Sequence, residues 1–70
     1  MILISDDHEH IIRDPKQIAL VEVDDLGFII KVDGVIFGFA KSHRAALMEM
    51  GDIAEAMKTN KNYQVCSSPE

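Results

Sequence analysis

Five consecutive residues, Asp6-Asp7-His8-Glu9-His10, form the densest run of chemistry-bearing side chains in this 70-residue chain. On an extended backbone His8 and His10 project to the same side. Zinc or nickel would take such a pair with one or two further ligands in fixed geometry. Asp6 or Glu9 could assist, and His43 is the third histidine of the chain. The spacing matches no diagnostic metal pattern, and a solvated acidic loop explains it without a metal, so no metal ligand is assigned. The same histidines, set among carboxylates that would raise their pKa, also suit a pH switch. A metal- or pH-responsive module built on His8 and His10 is therefore one expectation.

Other reactive side chains offer less. Ser5, Ser42, Ser67 and Ser68 lack an elbow motif such as G-x-S-x-G. Asp24-Asp25 looks like a carboxylate pair, but neighbouring residues point to different faces and the local sequence reads as a turn. The single Cys66 reads as a small hydrophobe near a chain end. No P-loop or dinucleotide fingerprint is present. A chain this short leaves little room for a water-excluding pocket. The expectation is a protein with no enzymatic activity and no cofactor.

Composition narrows the class further. Seventy residues predict one domain, spanning 1–66, with a frayed tail at 67–70. The core is small for its surface, and one cysteine cannot close an internal disulfide, so association is a plausible source of stability. The 47% hydrophobic content excludes disorder. No apolar run reaches the roughly 20 residues of a membrane span, and Met1–Ile4 is too short for a signal peptide. Together with the lone cysteine, this places the chain in the cytoplasm.

The net charge of −5 sits in the first half, where eight acids oppose Arg13, Lys16 and Lys31; from Gly34 onward the charges balance. Direct nucleic-acid binding needs the opposite sign and is not expected. Carboxylates at Asp6, Asp7, Glu9, Asp24, Asp25 and Asp33 form a candidate acidic surface. Displayed on a rigid body, they could mimic phosphates and occupy a nucleic-acid-binding protein's groove.

The elements that must position these groups follow from turn chemistry and periodicity. Asp33-Gly34 between FIIKVD and VIFGFA is a two-residue type I′ hairpin signal. That register sets Val32 opposite Val35, Ile30 opposite Phe37 and Phe28 opposite Phe39, all on one face. The same treatment of the loop near Asp25-Leu26 sets Val23 opposite Phe28 and Val21 opposite Ile30, with Ala19 continuing the row. Ser42 is a good N-cap for a helix over 43–58. Its apolar stripe holds Ala46, Leu47, Met50, Ile53, Ala54 and Met57, with Gly51 at the edge, where close approach to the sheet would explain it. Tyr63–Cys66 reads as a short last strand, and Met1–Ser5 with His10–Arg13 as an additional edge hairpin. The predicted fold is α+β: a small antiparallel β-meander of three or four strands with one helix packed on one face.

In this register the face away from the helix carries Ile18, Leu20, Glu22, Ile29, Lys31 and Ile36. A half-solvated sheet normally shows polar residues outward, so these six form a candidate partner-binding surface. Three covers are open: the N-terminal segment with Ile2, Leu3, Ile4, Ile11 and Ile12, a second copy, or another protein.

The meander-plus-helix plan is similar in architecture to integrase arm-binding and double-stranded-RNA-binding domains, whose basic surfaces are absent here. Size, acidity and missing catalytic motifs resemble small phage-encoded inhibitors, including anti-CRISPR proteins. That likeness implies an inhibitor acting by surface contact. The leading expectation is thus a small acidic interaction module, an adaptor or inhibitor. The alternatives are a homodimeric structural or regulatory protein and the histidine-based module.

Overall fold

A computed structural model describes residues 1–25 and 27–66. The predicted tail at 67–70, with Ser67 and Ser68, lies outside the described residues, as does Leu26.

The meander forms as its turn chemistry requires. Strands β3 (Ile18–Val23), β4 (Gly27–Val32) and β5 (Val35–Ala40) make an antiparallel sheet in the order β3-β4-β5. Asp33 and Gly34 both take positive φ, 50° and 84°, as a type I′ turn demands. Asp33 also ties down the approach to β3, its carboxylate accepting the backbone N–H of Lys16 and of Gln17.

Helix α1 (His43–Thr59) starts where predicted: Ser42 Oγ accepts the Ala45 N–H at 3.1 Å. Such a cap is worth about 1 kcal/mol. Asn60 closes the helix in the left-handed conformation, and Lys61 N donates to Ala56 O. The buried stripe is Ala46, Ile53 and Ala56, with Met50 and Met57 against the core. Leu47 and Ala54, expected in that stripe, are exposed. Gly51 is exposed too, and an added Cβ would meet nothing within 4 Å. Close approach to the sheet is therefore not its reason.

The predicted N-terminal hairpin exists as β1 (Ile2–Ile4) and β2 (Ile11–Arg13). It does not extend the meander. It forms a second sheet in the order β2-β1-β6, with β6 (Tyr63–Gln64) parallel to β1. This small sheet and α1 lie on the same side of the meander, because Leu3 and Val65 share one buried cluster with Ile30, Val32, Phe37 and Ile53. The Met1 ammonium contacts Asp14 at 2.6 Å and Asn60 at 2.9 Å, and Ile2 N donates to Asn62. That ammonium holds the Asp14 carboxyl below its ordinary pKa.

Two register details differ from expectation, and they decide what each face of the meander carries. Val23 pairs with Gly27, not Phe28, so β3 sits one residue from the expected register: Leu20 faces Ile30 and Val21 faces Ile29. The physical reason is Gly27, which takes φ 104° and enters the strand, shortening the loop. Because side chains alternate with period two, a one-residue slip exchanges the two faces. In β5 a bulge follows: Val32 faces Val35 and Lys31 faces Ile36, but Ile30 then faces Gly38 and Phe28 faces Ala40. Phe37 is the extra residue. It fills the inner face, fully buried, beside a Gly38 that has no side chain to compete. Phe28 remains half-buried and its ring contacts His43. Phe39, expected inward, turns outward.

Candidate protein interaction surface

The outer face of the meander is built from cross-strand rows. One row is Val21, Ile29 and Phe39; the next is Ala19, Lys31 and Ile36. Val21, Ile36 and Phe39 are 38%, 41% and 51% exposed, while Ile29 and Lys31 are half-buried. Four large apolar side chains thus surround one cation. The N-terminal segment does not cover this face, since Leu3 packs on the opposite side of the sheet.

The six residues expected to share this surface do not all lie on it. Ile29, Lys31 and Ile36 do. Ile18 and Leu20 face inward and pack against the core, because of the one-residue slip in β3. Glu22 follows the same alternation and is exposed. Val21 and Phe39, expected on the inner face, lie on the outer one instead. The usable signal for Val21 was a glycine at 27, which suits a three-residue hairpin loop. The Phe37 bulge left no comparable mark.

The six acidic candidates stand in loops, where several have local work. Asp6, Asp7 and Glu9 lie between β1 and β2, Asp24 and Asp25 between β3 and β4, and Asp33 between β4 and β5. The buried Ser5 hydroxyl donates to Asp7 at 2.5 Å and accepts the His10 N–H, while Asp7 also accepts the Glu9 N–H. The Ser5 hydrogen bond, with that of Glu9, holds the Asp7 carboxyl below its ordinary pKa. Asp6 N donates to Phe37 O at 2.9 Å and so fastens this loop to β5. Asp33 is engaged with Lys16 and Gln17, as above. Asp24 and Asp25 are exposed.

The histidines take separate partners. The loop is closed, with His8 at φ 65°, so the alternation of an extended chain does not apply. His8 Nε2 contacts the Gln64 side-chain amide. His10 stacks on Phe37 with ring centroids 6.3 Å apart. Among the described residues no three His, Cys, Asp or Glu side chains gather as a metal group would.

One cleft of about 270 Å³ opens beside the C-terminal half of α1, lined by Asp52, Glu55, Thr59, Lys61, Asn62 and Tyr63. It is smaller than the roughly 300–1,000 Å³ of typical small-molecule sites. Beside it Glu49 accepts the Tyr63 hydroxyl at 2.8 Å and the Cys66 N–H at 3.1 Å. Burial and that carboxylate push the Tyr63 pKa well above its ordinary value.

No helix among the described residues is long and apolar enough to cross a membrane. No family model, curated protein or solved structure matches the chain.

Proposed function

We propose that this chain is a non-enzymatic interaction protein, an adaptor or inhibitor, that works by surface contact in a reducing cytoplasm. The observation that carries the reading is the outer face of the meander. Val21, Ile29, Ile36 and Phe39 lie together there, with three of them more than a third exposed. Solvated antiparallel faces ordinarily carry polar residues, and contiguous apolar surface marks interaction sites. The partner is a protein that offers apolar side chains to this face and a carboxylate to Lys31.

The acidic loops support a steering role. Asp24 and Asp25 lie at one end of the meander and Asp33 at the other. They rim an apolar centre, the usual anatomy of a protein interface. A net charge of −5 speeds encounter with a basic partner, such as one whose own surface binds nucleic acid.

The test is affinity capture with the wild-type chain and the double variant Ile36→Lys/Phe39→Lys. Both positions are solvent-facing, so the variant keeps its circular-dichroism spectrum and melting temperature. The expected result is a partner retained by the wild type and lost by the variant. A folded variant that retains the same partner with equal affinity overturns the reading.

A further inference from the structure

Strand β3 forms an edge of the meander. It is six residues long, IALVEV, with no proline, no bulge and a single charged side chain. Natural edges are usually blunted by short length, proline, bulges or charged side chains, and of these β3 carries only the single charge of Glu22. The opposite edge, β5, is met by Asp6, whose N–H donates to Phe37 O. In the second sheet the outer strands are only three and two residues long.

The direction of the β3 backbone groups follows from one bond. Asp33 N donates to Gln17 O at 2.9 Å, continuing the β3–β4 ladder. In antiparallel pairing, residues that bond across alternate with residues that do not, and each residue aims its N–H and C=O to the same side. Ala19, Val21 and Val23 therefore turn their backbone towards β4. Ile18, Leu20 and Glu22 turn theirs away, to the edge.

We propose that β3 pairs antiparallel with β3 of a second copy of this chain, about a two-fold axis at Leu20. The two Leu20 residues then exchange backbone bonds with each other, and Ile18 exchanges bonds with Glu22 of the second copy. The register is chosen by overlap and charge. An axis at Ala19 would also set Lys16 opposite an acid, Glu22, but would align only residues 18–20 of the strand, against 18–22 for the axis at Leu20. The Leu20 axis brings Lys16 opposite Asp24 of the second copy, and both are exposed, so an opposite-charge pair closes each end. An axis at Glu22 would oppose two carboxylates, which is destabilising. An axis at Val21 would set Ile18 against Asp24 and leave Lys16 without an acid. The pairing joins the two meanders into one sheet. The row Phe39, Ile29 and Val21 continues as Ala19, Lys31 and Ile36 of the second copy, which doubles the outer face. The inference uses edge backbone and stands independently of the reading of that face.

The experiment is light scattering after size exclusion, from micromolar to millimolar concentration. The wild-type mass should rise from 7.8 kDa towards twice that value. Glu22→Pro removes an edge-directed N–H and leaves the β3–β4 ladder intact, a place where a strand tolerates proline; it should stay at the monomer mass. Lys16→Glu and Asp24→Lys should each weaken association by about two- to tenfold, and the two together should restore it. Ile36→Lys/Phe39→Lys should leave the dimer unchanged, which separates this inference from the outer-face reading. A wild-type monomer at every concentration overturns it. So does a dimer that survives Glu22→Pro, or one that dissociates only when the outer face is charged. Should Glu22→Pro fail to fold, the charge exchange decides alone: without rescue in the double variant the proposal falls.

Discussion

Gly27 lies against the carbonyl of Ala40: a Cβ placed on Gly27 would fall 2.5 Å from Ala40 O and 3.0 Å from Lys41 Cα. The contact joins the start of β4 to the end of β5: Gly27 pairs with Val23 of β3, and its chain neighbour Phe28 pairs with Ala40. The contact is tight because no side chain intervenes. Gly27 itself, by entering β4 opposite Val23, sets the β3 register that turns Val21 outward and Ile18 and Leu20 inward.

Gly27→Ala should therefore be the most damaging single-methyl change in the chain. The backbone at φ 104° costs a non-glycine residue about 1–3 kcal/mol, and the clash is with backbone, which cannot rotate away. Thermal denaturation should show a large fall in melting temperature. A melting temperature equal to wild type would mean that the strand takes another register.

The opposite result is expected at Gly51. It lies mid-helix, exposed, with open space where a Cβ would go. Gly51→Ala should stabilise the fold by about 1 kcal/mol. In a domain of this size that raises the melting temperature by roughly 4–8 °C. A decrease would show that the position contacts something in solution.

Tyr63 predicts how stability changes in alkali. Its pKa is raised in the folded state, first by burial and then by the hydrogen bond to Glu49. A raised pKa means that the protonated form is favoured by folding. Its contribution is complete below the unfolded value near 10 and is lost as pH rises beyond it. Denaturant titrations from pH 7 to 11 should show a steeper alkaline loss in the wild type than in Tyr63→Phe, which has no tyrosine left to titrate. Parallel curves would refute the assignment.

Much of the fold was legible because short-range physics sets it. Asp33-Gly34 could only be a tight hairpin turn, and both residues take the positive φ that such a turn requires. Ser42 followed by an apolar period of 3.6 marked α1 to within a residue of its observed end. Turn signals and periodicity marked an α+β chain, the charges marked an acidic first half, and the unusual apolar content of both meander faces was visible as a pattern.

Which residue lies on which face was not legible. Gln17–Asp24 carries aliphatics on both alternations, so burial alone favours neither register. Gly27, entering β4 opposite Val23, decides it for β3, and the Phe37 bulge decides it for Phe39. The place of the first residues was equally a tertiary matter. Leu3 joins the core only because β1 pairs with β6, some sixty residues away, and Asn62 receives the Ile2 N–H. The turns, the helix and the charge could be read from the residues alone, since each depends on neighbours in the chain. The tertiary structure alone decided which apolar side chains meet water, because that depends on contacts between segments that no local pattern encodes.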